Sequence, residues 1–213
     1  MMENVLAVVA HPDDLEIMAG GSIVKWKKQG KKIHVLLLTD GAWKRETGTW
    51  VRSPKQVQDE IVVVKESKIY DTLEQLAVPC LSLNFEDHIV CEVLKRIENY
   101  KIDTLLTSWI DDTHHDHEIA SRIVLAASRR VSTVLMGQIN YYTNRFFTPN
   151  IFVDITEEWD DKIKLVSLYE SQWSRAKEDW CEFMDITSKY YGKIVGVSRA
   201  EGFITNKLLL DLI

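Results

Sequence analysis

Cysteine is scarce in this chain of 213 residues: Cys80, Cys91 and Cys181 are odd in number, far apart and form no Cys-x-x-Cys pair. Neither a disulfide framework nor a thiolate zinc knuckle is indicated, and a reducing cytoplasm is the expected compartment. Long apolar runs are missing as well. Val5 to Ala10 and Ile33 to Thr39 have strand length, not membrane-span length, and the Met-Met-Glu-Asn start puts no basic segment ahead of a hydrophobic one. A soluble, unexported protein without a membrane span is expected. Basic residues are outnumbered 26 to 32, for a formal charge of −6. A field of that sign does not favour a polyanion and argues against nucleic acid as a partner. No Gly-x-Gly-x-x-Gly or Walker pattern is present, which disfavours a nucleotide-binding reading. Histidine, with six copies, is rare and unevenly spread.

What is present suffices for one large domain spanning residues 1–213, with 46% hydrophobic and 27% charged residues. Val5 to Ala10 and Ile33 to Leu38 are unbroken apolar runs, the pattern of strands buried on both faces. Between them Leu15, Met18, Ile23 and Trp26 fall at helical spacing up to a basic last turn and Gly30. Ser53-Pro54 opens a helix expected to reach about Leu76. Further along, strands are expected at 80–83, 103–107 and 132–137, and helices at 87–100 and 118–130. A less regular last third holds a strand at 151–155, a helix from Thr156 and another over 174–191. This alternation predicts a three-layer αβα, Rossmann-like fold with a mostly parallel sheet.

Ligands of such sheets bind beyond the carboxyl ends of the strands. Two of those loops, His11-Pro12-Asp13-Asp14 and Ser108 to His117, hold four of the six histidines and five aspartates. Histidine and carboxylate suit zinc or iron, and a catalytic zinc needs three protein ligands and an open position. His11 and Asp14 can converge across the Pro12 turn, and a histidine of the second loop can close the triangle. Asp13 would then act as general base towards water, and a second histidine would stabilise an oxyanion or protonate a leaving amine. Helix capping by Asp13 or Asp14 is the plain alternative, but it explains neither the histidines nor their shared edge.

Ala10-His11-Pro12-Asp13-Asp14, Gly20-Gly21, Leu38-Thr39-Asp40-Gly41, His114-His115-Asp116-His117, Ser171-Gln172 and Ala200-Glu201-Gly202-Phe203 follow one another in an order that resembles the PIG-L/LmbE family of zinc-dependent N-deacetylases. The resemblance runs from about residue 5 to residue 204. It implies His11, Asp14 and His117 as ligands of Zn2+, with Fe2+ or another divalent transition metal as the alternative ion. It further implies Asp13 as base, His114 as the histidine facing the tetrahedral intermediate, and Asp116 as the aspartate that orients and charges His114. Arg52 and Arg145 match arginines that contact substrate or oxyanion, and Glu201 matches a structural position. The implied substrate is a small N-acetylated sugar or sugar conjugate, first of all an N-acetylglucosamine derivative, and related enzymes include homo-oligomers. His115 departs from the family's proline, and Glu60 leads into three valines with no Leu-Gly after them.

Among the remaining residues, Asp40 is a candidate for holding a substrate hydroxyl, and Asp111 and Asp112 are alternative ligands or loop residues. Trp43, Trp50 and Trp109 fall in the site loops, where Trp43 and Trp109 could stack on a sugar or acyl chain. His34, His88 and the cysteines read as structural, the cysteines as buried small apolar side chains. A metal hydrolase of another amide or ester, and a non-catalytic metal or sugar binder, are the rival readings.

Overall fold

The structure is a computed structural model that describes residues 2–143 and 145–209. Its strands and helices are β1 (Asn4–Val9), α1 (Asp14–Lys28), β2 (Lys32–Thr39), β3 (Trp43–Lys44), β4 (Trp50–Arg52), α2 (Pro54–Glu66), β5 (Thr72–Val78) and α3 (Asp87–Asn99). They continue with β6 (Thr104–Ser108), α4 (His115–Ala127), β7 (Thr133–Gly137), β8 (Ile151–Asp154), α5 (Trp159–Ser167), α6 (Glu170–Val195) and β9 (Ala200–Lys207).

Seven strands form one sheet in the order β5-β2-β1-β6-β7-β9-β8, parallel except for β9, which runs antiparallel to β7 and β8. β3 and β4 make a separate antiparallel hairpin. One apolar cluster joins α1, α2, α6 and one face of the central strands, while a second joins α3, α4 and the other face. That is the expected three-layer α/β architecture. Sequence order runs outward from β1 through β2 to β5, then restarts at β6, so the switch point lies between β1 and β6. Both His/Asp loops leave the sheet there.

Several expected elements differ. The helix opened by Ser53, whose side chain and that of Gln56 form a capping box, ends at Glu66, and residues 72–78 are an edge strand. Residues 80–83 therefore lie in a loop and not in a strand. Apolar residues in 69–78 fit either period, and the left-handed Lys68 breaks the helix before them. The helix after β6 starts at His115, three residues earlier than expected, because His114 caps it. The helix expected over 174–191 runs from Glu170 to Val195.

Gly20-Gly21 shows how the C-terminal segment locks onto the first helix. The Glu201 carboxylate accepts hydrogen bonds from the backbone N–H of Gly21 (3.0 Å) and Ser22 (2.7 Å), and Lys162 Nζ donates to the Ile17 carbonyl and to Glu201. A buried ion pair is thus inserted into the hydrogen-bond ladder of α1. A Cβ on Gly21 would stand 2.8 Å from Ile155, so only glycine admits this approach. Glu201 is structural, as expected. Of the cysteines, Cys91 is exposed and Cys80 and Cys181 are half-buried, so none is the buried apolar filler anticipated. His34 stacks on Tyr100 at 4.1 Å, a structural role, and His88 is exposed and lies 3.2 Å from Glu86.

Candidate metal centre and active site

The first loop is fixed by its neighbours. The Ala10 carbonyl accepts the backbone N–H and hydroxyl of Thr39, and Gly41, at φ 64°, lets the chain pass so close to Pro12 that a Cβ would lie 2.6 Å from its ring. Asp13 holds φ 107°, a strained value for a residue with a Cβ. This turn sends Asp14 back onto its own loop, where Oδ2 accepts the His11 backbone N–H at 2.8 Å. In the second loop His114 caps α4, so that His117 falls one turn inside the helix and faces His11.

Candidate ligand atoms of three residues meet. His11 Nδ1 lies 3.2 Å from His117 Nε2 and 3.3 Å from Asp14 Oδ2, and His117 Nε2 lies 3.2 Å from Asp14 Oδ1. The outer nitrogens settle the tautomers: His11 Nε2 donates to Asp116 Oδ2 and His117 Nδ1 to Asp112 Oδ2, both at 3.0 Å. Neutral rings so held turn two lone pairs and a carboxylate towards one point. Ligands bound tetrahedrally at 2.0–2.1 Å stand about 3.3 Å apart, the separation found here. His114 offers a further nitrogen within 4.8 Å of those of His11 and His117, and Cys80 and Asp116 form a second group with His11. The donor set fits a divalent transition metal.

Burial works against charge on His11 and His117, yet Asp14 overrides it, raising His117 to about 9 and His11 well above the ordinary histidine value. Burial would likewise raise Asp14, but His117 and His11 hold it well below the usual carboxylate range. His114 is different: burial, His117 and His11 lower it to about 4, and its Nδ1 accepts the Asp116 backbone N–H, leaving the proton of the neutral ring on Nε2.

That corrects the pairing expected for Asp116. Its carboxylate faces His11 and accepts the backbone N–H groups of Leu81 and Leu83, whereas only its backbone touches His114. His115, the extra histidine, is exposed and its Nε2 meets the Leu83 carbonyl at 2.8 Å. Asp112 gains a definite place behind His117, further held by Asn140.

Asp13 is buried beside the ligands, and Arg52 Nη1 donates to its Oδ2 and to the Pro12 carbonyl, both at 3.0 Å. Burial pushes its carboxyl up to about 7, against the opposing pull of Arg52. Glu60 anchors Arg52 through Nε and Nη2 and reaches the Ser171 backbone N–H with its other oxygen. Glu60 therefore links α2, Arg52 and the start of α6. The Ser171-Gln172 element matters for the same reason.

These groups open into a cavity of about 470 Å3. Trp43 and Arg52 line it, as do Asn140, Tyr141, Tyr142, Arg175, Trp180 and Phe183, which sequence patterns did not single out for the site. Three expected substrate contacts are not among its walls. Trp109 is buried edge-on against Phe147, Asp40 accepts the Ala42 and Cys80 backbone N–H groups, and Arg145 is exposed away from the lining.

Known proteins share this architecture. Diacetylchitobiose deacetylase of Thermococcus kodakarensis is 28% identical over 231 residues, covering 94% of this chain and 82% of that protein. The conserved protein TT1542 from Thermus thermophilus superposes with a TM-score of 0.82 at 23% identity, over 100% of this chain and 98% of the other. N,N'-diacetylchitobiose deacetylase from Pyrococcus horikoshii superposes with a TM-score of 0.81 at 20% identity, over 96% and 84% respectively. The family model described as PIG-L, GlcNAc-PI de-N-acetylase, matches residues 6–128, more than half of the chain and including both His/Asp loops. The chain is a member of the PIG-L family of deacetylases, a hydrolase fold carrying a candidate metal site.

Proposed function

We propose that the protein is a zinc-dependent amidohydrolase that removes an acetyl or related acyl group from the amine of an amino sugar or sugar conjugate, with N-acetylglucosamine derivatives as reference substrates. The observation that carries this reading is the convergence of His11 Nδ1, His117 Nε2 and Asp14 beside a further buried carboxylate, Asp13. A merely structural metal site needs no such neighbour. The deacetylase relatives supply the substrate class.

His11, Asp14 and His117 would hold the cation, which supplies Lewis-acid polarisation of an amide carbonyl and a more acidic water. Asp13 takes a proton from the attacking water and returns it to the departing nitrogen. Its burial beside Arg52 suits both tasks: desolvation makes it a better base, and the guanidinium restrains its orientation. His114 acts as a neutral donor, its Nε2–H available to the oxyanion because Nδ1 is occupied by a backbone N–H. Asp116 and Asp112 act one step removed, keeping the His11 and His117 protons on the outer nitrogens.

Among the described residues no helix is long and apolar enough to cross a membrane. The test is release of acetate and free amine from a panel of N-acetylated sugars by the zinc-loaded protein, alongside Asp13→Asn. Asparagine tolerates the left-handed turn, so this variant is expected to fold and retain zinc with turnover reduced at least about 100-fold. Undiminished turnover in Asp13→Asn, or no cleavage of any N-acyl amine, would refute the reading.

A further inference from the structure

The cavity at the candidate metal centre continues along α6. Tyr141, Asp179 and Phe183 belong both to its wall and to a second groove of about 500 Å3, which extends past Glu182 and Ile186 to Thr187. Tyr141 and Ile186 are 63% and 57% exposed, and the Tyr141 ring packs against Phe183 with centroids 5.9 Å apart. Tyr141, Phe183 and Ile186 form an apolar strip among the groove's polar residues, and such a strip joined to a reaction centre is a place to shelter hydrocarbon. Each methylene removed from water is worth roughly fourfold in affinity when burial is complete. Asp179 and Glu182 stand at this groove without an ion-pair partner among the described residues, which disfavours a phosphate or other anion there.

Asp13, which serves the departing nitrogen, is tied to Arg52 on the side of the β3–β4 hairpin, where Trp43 and Val51 line the cavity. With the amine half beside Asp13, the acyl carbon's remaining substituent points away from that residue, and Tyr141 and Phe183, which line both the cavity and the second groove, offer it a wall. We propose that the second groove receives the acyl chain, so that the preferred substrates are N-acyl amines with chains of several carbons. This rests on the amidohydrolase reading above. The C–N bond breaks, the oxygen of water stays on the acyl carbon, both protons of that water end on the nitrogen, and the products are a fatty carboxylate and a protonated amine.

The experiment uses the zinc-loaded full chain and glucosamine bearing acetyl, butanoyl, hexanoyl or octanoyl groups, with kcat/KM read from free-amine release. It is expected to rise about two- to fourfold per methylene until the groove is filled. Ile186→Asp, a change at an exposed position, is expected to flatten that slope, while Tyr190→Ser, on the same helix but outside the groove, preserves it. Cleavage of the acetyl compound with a flat or falling series would overturn the groove assignment and leave the amide reading standing. So would a rise carried by alkyl glycosides of N-acetylglucosamine instead, because the aglycone would then occupy the groove. If no amide is cleaved, the amide reading fails, and calorimetry with acetate and octanoate still decides the groove. At least tenfold tighter octanoate, lost in Ile186→Asp, supports it, and equal affinities overturn it.

Discussion

Replacing Asp116 by alanine separates two accounts of one carboxylate. Asp116 is 0% exposed and accepts three donors: His11 Nε2 at 3.0 Å, the Leu81 backbone N–H at 2.7 Å and the Leu83 backbone N–H at 3.3 Å. Alanine removes both acceptor oxygens, so the His11 Nε2–H loses the partner that keeps the ring proton on the outer nitrogen. The ring is then free to carry its proton on Nδ1, the atom that faces His117 and Asp14. A protonated Nδ1 cannot ligate a metal. Loss of such a supporting hydrogen bond costs about 10- to 100-fold in metal affinity, or about 1.4–2.7 kcal/mol. Competition of zinc between the protein and a chromogenic chelator measures this, with circular dichroism to verify folding. If Asp116 instead acted on His114, zinc affinity would be unchanged and only kcat would fall. That outcome would refute the assignment made from the structure.

Zinc binding at neutral pH is expected to release protons, because His117 is raised to about 9 and is charged at pH 7 in the metal-free protein. Affinity should therefore climb as pH rises towards 9 and then level off, and calorimetry in buffers of different ionisation enthalpy reads the released proton directly. Gly21→Ala drives a methyl group to within 2.8 Å of the buried Ile155. Overpacking of about 1–3 kcal/mol outweighs the helix propensity gained, about 1 kcal/mol, so the urea midpoint should fall. Lys162→Met leaves the Glu201 carboxylate buried without its cation, and a loss of about 3–5 kcal/mol is expected in the same assay.

The elements that build the site were readable from the chain because their patterns are unambiguous. β1 and β2 are continuous apolar runs, α1 has a clear helical stripe, and the His/Asp loops stand at strand ends where nothing structural calls for them. The convergence of His/Asp side chains at that edge was readable for the same reason. Partners of the ligands were not: Asp116 is adjacent to both His115 and His117 in sequence, yet its carboxylate crosses to His11, 105 residues away. Only the relative placement of β1 and β6 decides that. Three-dimensional placement likewise removes Trp109, Asp40 and Arg145 from the cavity and brings in α6, whose Gln172, Arg175, Trp180 and Phe183 lie far along the chain from both loops. Strand β5 was hidden because its apolar residues also fit the helical period of the segment before it. Glu60 sits in a segment that departs from the family pattern, and its role appears only through Arg52 and Ser171.

The central claim is that His11, Asp14 and His117 hold one catalytic cation. Titration of the metal-free protein with zinc, following amine release from an N-acylated glucosamine, tests it most directly. Activity is expected to rise linearly and to break at one zinc per chain, and His117→Ala is expected to bind zinc far more weakly and to show no break. Amide cleavage that does not depend on added metal, or an unchanged titration in His117→Ala, would contradict the account.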